Sequence, residues 1–209
     1  PLLDADGELS RSSFVPQALS GMEVNGKLYG TSSGFTIGTV IGPSRLLGNM
    51  KSWTLRDFNN ITSTMGEGTY AFGAADTQSN VLYDLLGIQL HRFIDWEKLT
   101  CSFDNPDFAS VLDFIRKLPA DYLDTVDTEQ IQKNIQLFLR TTIYAAEDLQ
   151  VAGSSFASPV YVGLPVIEGN GNVLNLQKNF AVTAVCKDKE AAWQFIRSTL
   201  TADAQANSW

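Results

Sequence analysis

The Asn25-Gly26 pair is the point at which this 209-residue chain has least conformational freedom. In Val24-Asn25-Gly26-Lys27 it suits a two-residue type I′ turn, because both central residues of that turn take positive φ. A hairpin here restricts the residues on its C-terminal side. Leu28-Tyr29 reads as a short strand, and Phe35-Thr36-Ile37-Gly38-Thr39-Val40-Ile41 reads as a second, more apolar one. Between them Thr31-Ser32-Ser33-Gly34 is small and hydroxyl-rich, so it bares backbone instead of filling a core. Two readings of that stretch stand side by side: a rim that a ligand approaches closely, or an ordinary Ser/Gly connection.

Further strand signals alternate with well-marked helix starts. Thr54 and Asp57 form a capping-box pair ahead of Leu55, Phe58 and Ile61, with Trp53 placed to staple the first turn. Asn105 as N-cap, Pro106 at N1 and Asp107 near the helix dipole's positive end precede the stripe Phe108, Val111, Leu112 and Ile115. Leu118-Pro119 ends that helix. Asp188 caps a third, whose wide apolar stripe is Ala191, Ala192, Phe195, Ile196 and Leu200. Shorter helices are expected at residues 10–19, 81–86 and 127–134. Strands are expected at 69–72, 135–143, 160–165 and, as a fully buried run, at 180–185, with a strand or hairpin between Arg92 and Phe103. This alternation predicts an α/β fold, a mixed sheet flanked by helices.

In such sheets ligands gather where strands run into helix starts. The stretch 69–72 leads through Gly73-Ala74-Ala75 to Asp76 and Thr77, which either cap the next helix, contact a ligand, or do both. A second such corner is Tyr144-Ala145-Ala146-Glu147-Asp148, where a strand end meets an acidic helix start.

Composition and motifs exclude several classes. The length suffices for one large domain or two small lobes. A net charge of −8 with no Lys/Arg stripe argues against nucleic acid, and no run approaches the roughly 18 apolar residues of a membrane span. Cys101 and Cys186 have neither a disulfide framework nor metal-ligand spacing and read as two buried free thiols. Asp4-Ala5-Asp6-Gly7 starts like a calcium loop but lacks the closing Glu, so it reads as a turn. Gly169 and Gly171 complete no nucleotide loop, and no GxSxG, HExxH or Walker motif accompanies His91, the single histidine. The acid pairs Asp95/Glu97 and Glu147/Asp148 read as solvated charge before they read as a glycosidase pair. The expectation is no enzyme, no cofactor and no metal.

Four stretches, in order, carry a resemblance: Val24-Asn25-Gly26-Lys27-Leu28-Tyr29-Gly30, Trp53-Thr54-Leu55-Arg56-Asp57-Phe58, Phe103-Asp104-Asn105-Pro106-Asp107-Phe108 and Lys187-Asp188-Lys189-Glu190-Ala191-Ala192-Trp193-Gln194-Phe195-Ile196. Each resembles a recurring stretch of the extracellular solute-binding proteins of bacterial ABC importers, in the family that captures sugars and oligosaccharides. The resemblance implies a periplasmic-binding-protein-like fold of two α/β lobes that close on a solute by hinge motion. It implies residues 1–30 as an opening segment and hairpin near the first lobe, 31–163 as the second lobe, and 164–209 as a crossing segment and strand-helix returning to the first. An N-terminal half-lobe, with a signal peptide and lipid-anchored cysteine, and a C-terminal tail would lie outside this chain. The implied partners are a sugar-like solute and a membrane permease, and the implied location is the cell exterior, anchored to the surface. A protein-contact or adhesion module on the same fold is the alternative, with a glycosidase third. Position by position, the implied ligand edge comprises Ser32, Ser33, Gly34, Phe35, Asp76, Thr77, Tyr144 and Glu147. Asp76, Thr77 and Glu147 would bond hydroxyls, and Tyr144 would stack or bond, standing where many sugar binders of the family place a tryptophan.

Overall fold

The computed structural model describes residues 2–122 and 128–206. In order the chain forms α1 (Pro16–Ser20), β1 (Glu23–Val24), β2 (Lys27–Leu28), β3 (Thr31–Pro43), α2 (Ser44–Leu47), α3 (Leu55–Thr62), α4 (Gln78–Gln89), β4 (Ile94–Asp95), β5 (Thr100–Cys101), α5 (Pro106–Ile115), α6 (Thr128–Gln132), β6 (Leu139–Ile143), α7 (Ala146–Gly153), β7 (Pro159–Tyr161), β8 (Val173–Phe180), α8 (Lys189–Leu200) and α9 (Ala202–Ala206). The result is a mixed α/β fold with sheet flanked by helices. It divides into two compact units, Pro1–Thr36 with Leu174–Trp209, and Ile37–Val173. The chain passes between them along β3 and β8.

In the larger unit β3 is the central strand. Ile37 to Ile41 pair antiparallel with Ile143 to Leu139 of β6, and Ile41 to Pro43 pair with Tyr161 to Pro159 of β7. The β-branched Val40 and Ile41 are fully buried there. Helix α3 starts as its capping box requires: the Asp57 N–H donates to Thr54 Oγ1 and the Thr54 N–H to Asp57 Oδ2. Trp53 packs its ring edge-on to Phe58 at 5.6 Å and Phe138 at 4.8 Å, and its indole N–H donates to the Gly163 carbonyl at 2.7 Å. It is a staple and a core residue, not an exposed stacking surface. Phe58, Phe72, Phe114 and Phe138 extend this aromatic core, with Phe58 and Phe114 edge-to-face at 4.8 Å. A side chain at position 42 would meet Phe138 Cδ1 at 2.6 Å, so only glycine lets that ring lie over the strand. Asn105 caps α5 by accepting the Phe108 N–H at 2.9 Å. β4 and β5 form a separate two-stranded hairpin.

In the smaller unit Asn25 and Gly26 take φ of 50° and 72°, and Glu23 and Val24 pair with Leu28 and Lys27. This is the turn the Asn-Gly pair predicts. Leu3, Leu19 and Leu28 pack against Trp193, Ile196 and Leu200, the buried stripe of α8. Asp188 caps α8 through the Ala191 N–H at 2.9 Å. The Asp4-Ala5-Asp6-Gly7 turn has a structural anchor: Asp6 accepts the Leu9 and Glu8 N–H groups at 2.8 and 2.9 Å and the Trp193 indole N–H at 2.8 Å, with Arg197 3.1 Å away. Those backbone donors, then the indole and Arg197, hold its carboxyl down to about 2.

Several expectations change. Residues 31–34 form no loop between two strands; they lie inside one 13-residue strand, β3, which pairs with β8. Residues 10–19 do not form one helix, since α1 starts at Pro16, which is tolerated only in a first helical turn. The 69–72 stretch supplies only a parallel bridge from Tyr70 to Gln136. Strands β6 and β7 are shorter than residues 135–143 and 160–165. Asp127, the expected start of α6, lies outside the described residues. The run 180–185 is not a buried strand: β8 ends at Phe180 and Val185 is 88% exposed, since no described strand pairs with it. Both cysteines are free, but Cys101 is exposed and Cys186 half-buried, the former on a hairpin too small to cover its faces.

Candidate functional site

The eight expected ligand-edge residues fall in three places, and the structure treats them differently. In the larger unit β6 ends at Ile143 and the chain turns into α7. The turn is set by Asp148, whose Oδ2 accepts the Tyr144 and Ala145 N–H groups at 2.7 and 2.9 Å. That carboxylate satisfies the donors at the strand-to-helix corner and so fixes where the neighbouring side chains project. Tyr144 is left 63% exposed and Glu147 is also exposed, with no hydrogen bond or ion pair among the described residues. A phenol face and a free carboxylate, three positions apart on a rigid corner, provide one stacking surface and one hydroxyl acceptor.

Asp76 and Thr77 belong to a different arrangement. Asp76 is only 6% exposed. One oxygen accepts the Gly73 N–H at 3.0 Å, and the other meets Arg140 Nε, whose Nη1 pairs with Asp84. Burial pushes the Asp76 carboxyl above the usual carboxylate range, against the opposing pull of Arg140 and the Gly73 N–H. Thr77 is buried and is the N-cap of α4, its hydroxyl accepting the Asn80 N–H at 3.4 Å. Both residues therefore have structural partners already. Arg140 and Tyr144 lie four positions apart on and just past β6, a rise of about 13 Å. Asp76 thus engages the opposite end of β6 from the exposed corner.

The third place is in the smaller unit, within β3. Ser32 and Gly34 lie on one face of the strand, Ser33 and Phe35 on the other. The Ser32 hydroxyl lies 2.5 Å from the Gln177 carbonyl and 2.6 Å from that of Gly34, and so serves the backbone. Ser33 and Phe35 are half-buried.

Sequence reasoning missed Arg140 and Asp84, and it placed Asp148 at an acidic helix start without seeing that its carboxylate sets the corner. Arg140 carried a signal: it is a guanidinium inside the apolar run Leu137-Phe138-Leu139 to Ile143, where a charge is favoured by a carboxylate partner. Among the described residues no three His, Cys, Asp or Glu side chains gather to hold a metal, and no helix is long and apolar enough to cross a membrane.

No family model matches the chain, and no curated protein does. Solved structures do match its fold. The sugar-binding protein MalE from the phytopathogen Xanthomonas citri aligns with 99% of this chain and 57% of its own, at 13% identity and a TM-score of 0.67. An ABC substrate-binding protein from Listeria monocytogenes in complex with cycloalternan aligns with 97% of this chain and 56% of its own, at 16% identity and a TM-score of 0.59. An ABC transporter solute-binding protein from Agrobacterium vitis S4 with bound D-mannitol aligns with 99% of this chain and 58% of its own, at 19% identity and a TM-score of 0.56. The chain thus spans a little over half the length of each of these structures, and what it shares with them is the fold of ABC solute-binding proteins.

Proposed function

We propose that this chain is part of an extracellular solute-binding protein that captures a sugar or oligosaccharide and delivers it to the membrane permease of an ABC importer. The observation that carries the reading is the alignment of 97–99% of the chain with binding proteins for a sugar, cycloalternan and mannitol. The Tyr144–Glu147 corner supports it, since an exposed aromatic face and an exposed carboxylate are groups that hold a polyhydroxylated ring. In this reading Tyr144 stacks on the solute and Glu147 accepts from its hydroxyls. Ser33, Gly34 and Phe35 border the solute, while Ser32 holds β3 to β8. Asp76 and Thr77 brace the α4 corner. In the whole protein two lobes close on the solute by hinge motion, and a lipid-anchored N-terminus keeps the protein at the cell surface. Binding, not catalysis, is the activity.

Titration calorimetry of the full-length protein against maltose, maltotriose, cycloalternan and mannitol tests this. The expected result is a saturable one-to-one heat with one carbohydrate class, and at least about tenfold weaker affinity for Tyr144→Ala, the loss of about 1.4 kcal/mol of stacking. Circular dichroism should find the variant's melting temperature unchanged, because Tyr144 is exposed. No heat across the panel refutes the sugar assignment and favours a protein-contact role.

A further inference from the structure

The arginines of this chain, whose net charge is −8, are mostly spent on the fold. Arg11, Arg92, Arg116, Arg140 and Arg197 each pair with a carboxylate. Arg45 does not: among the described residues its guanidinium is held by a neutral group, Nη2 donating to the side-chain oxygen of Asn134. Asn134 takes φ of 57°, the left-handed conformation that closes α6, and the Ile135 and Gln136 N–H groups return to the Gln130 carbonyl at 2.8 and 3.1 Å. Backbone bonds thus fix the Asn134 amide, which in turn fixes the guanidinium. Of the five N–H donors in that planar fork, most remain uncommitted.

Arg45 stands over a cavity of about 570 Å³ in the larger unit, enclosed by the start of α2, the end of α6 and the stretch between α7 and β7. That volume falls within the roughly 300–1,000 Å³ of small-molecule sites. The floor is apolar: Ile131, Leu137 and Phe156 are all buried. On the wall stand Ser155 and Ser158, whose hydroxyls make no hydrogen bond among the described residues. The Ser44 N–H donates to the Ser158 carbonyl at 2.9 Å and ties the two sides of the cavity together. Among the described residues no carboxylate lines it.

We propose that this cavity is a second ligand site, for a small organic carboxylate with an apolar body. One pre-positioned guanidinium matches one carboxylate through two parallel N–H bonds, and a phosphate dianion would find only half of its charge met. The Ser155 and Ser158 hydroxyls supply further donors, and the apolar floor takes the body of the ligand. The site is separate from the solute edge. Pro43 pairs with Pro159 and Ile37 with Ile143, so six residues of β3, about 20 Å, lie between the cavity and the Tyr144 corner. The proposal therefore stands whether or not the solute is a sugar.

Nitrogen-15 NMR titration of the full-length protein with sodium benzoate, benzamide and inorganic phosphate, at constant ionic strength, tests it. Benzoate should shift the amides of Arg45, Asn134 and Ser155 saturably, with a Kd of about 1 mM or tighter. Benzamide and phosphate should bind at least about tenfold more weakly, since one lacks the charge and the other the apolar body. Arg45→Gln should weaken benzoate by about tenfold or more and leave the melting temperature within about 1 °C, because Arg45 is exposed. Arg45→Lys, which keeps the charge but not the fork, should fall between the two and serves if the glutamine variant does not fold. Equal binding of benzamide overturns the proposal, as do tighter binding of phosphate and an unchanged affinity in the Arg45 variants. So does the lack of any saturable shift up to about 20 mM, or a shift confined to Tyr144 and Ala145.

Discussion

Replacing Arg140 with methionine keeps most of the side-chain volume but strips the guanidinium that pairs with Asp76. The Asp76 side chain is 8% exposed and that of Arg140 23%, whereas Asp84, the second partner, is 40% exposed. The Asp84 arm is therefore solvated and contributes at most about 1 kcal/mol. The Asp76 arm is buried, and breaking a buried pair from one side costs about 3–5 kcal/mol, because a desolvated charge is left behind. The expected loss at pH 7 is about 3–4 kcal/mol, a fall of roughly 1.5–2 M in the urea midpoint at a typical slope of about 2 kcal/mol/M. The loss should depend on pH with a definite sign. Burial already raises the Asp76 carboxyl in the native protein, and removing Arg140 raises it further. A carboxyl raised above its unfolded value of about 3.9 binds its proton more tightly when folded. The variant should therefore regain stability as the pH falls through the folded Asp76 value towards about 4, and lose it again as the pH rises. Urea unfolding followed by fluorescence of the buried Trp53, from pH 4.5 to 8, reads this directly. Asp76→Asn combined with Arg140→Met removes the charge as well, so it should be more stable than Arg140→Met at pH 7 and should lose the pH dependence. A loss below about 1 kcal/mol that is equal at pH 5 and pH 7 would refute the reasoning, for it would mean that water or another cation compensates Asp76.

Two further perturbations address the packing of each unit. Gly171→Ala would place a methyl 1.8 Å from the Leu164 carbonyl oxygen, where Gly163 and Gly171 bridge, so it should cost at least about 3 kcal/mol or prevent the larger unit from folding, as seen in urea midpoints. In the smaller unit Asp6, held at about 2 chiefly by the Leu9 and Glu8 N–H groups, is a carboxyl depressed below its unfolded value. Its contribution should be fully present above about pH 4 and disappear as pH falls towards 2, and Asp6→Asn should flatten that acid limb of the melting-temperature profile.

What was legible in the sequence is what local chemistry decides. The Asn25-Gly26 turn, the Thr54–Asp57 box with its Trp53 staple, and the Asn105-Pro106 start each involve residues within five positions of one another, so their geometry derives from φ preference and the first-turn donors alone. The fate of 31–34 was not local. Small hydroxyl residues suit a strand or a loop equally, and β8, more than a hundred positions later, decides by offering a ladder. Asp76 shows the same limit at the candidate site. As part of a strand-to-helix stretch it reads equally as a cap or as a ligand contact, and only Arg140, 64 positions away, selects a buried ionic role.

The corner at Tyr144 was legible for the opposite reason, since its fixing group, Asp148, is four positions away and acts on the backbone of the corner itself. This difference bears on function. A side chain engaged by a distant partner inside the unit has spent its polar capacity on the fold, as Asp76 has. Asp148 meets the needs of the Tyr144 corner through main-chain donors alone, so the Tyr144 ring and the Glu147 carboxylate keep their full bonding capacity. Rigid backbone with uncommitted side chains is what a binding edge requires, because the solute then meets groups that are pre-positioned and have no internal bond to break. By that criterion the Tyr144–Glu147 corner is the stronger part of the proposed edge.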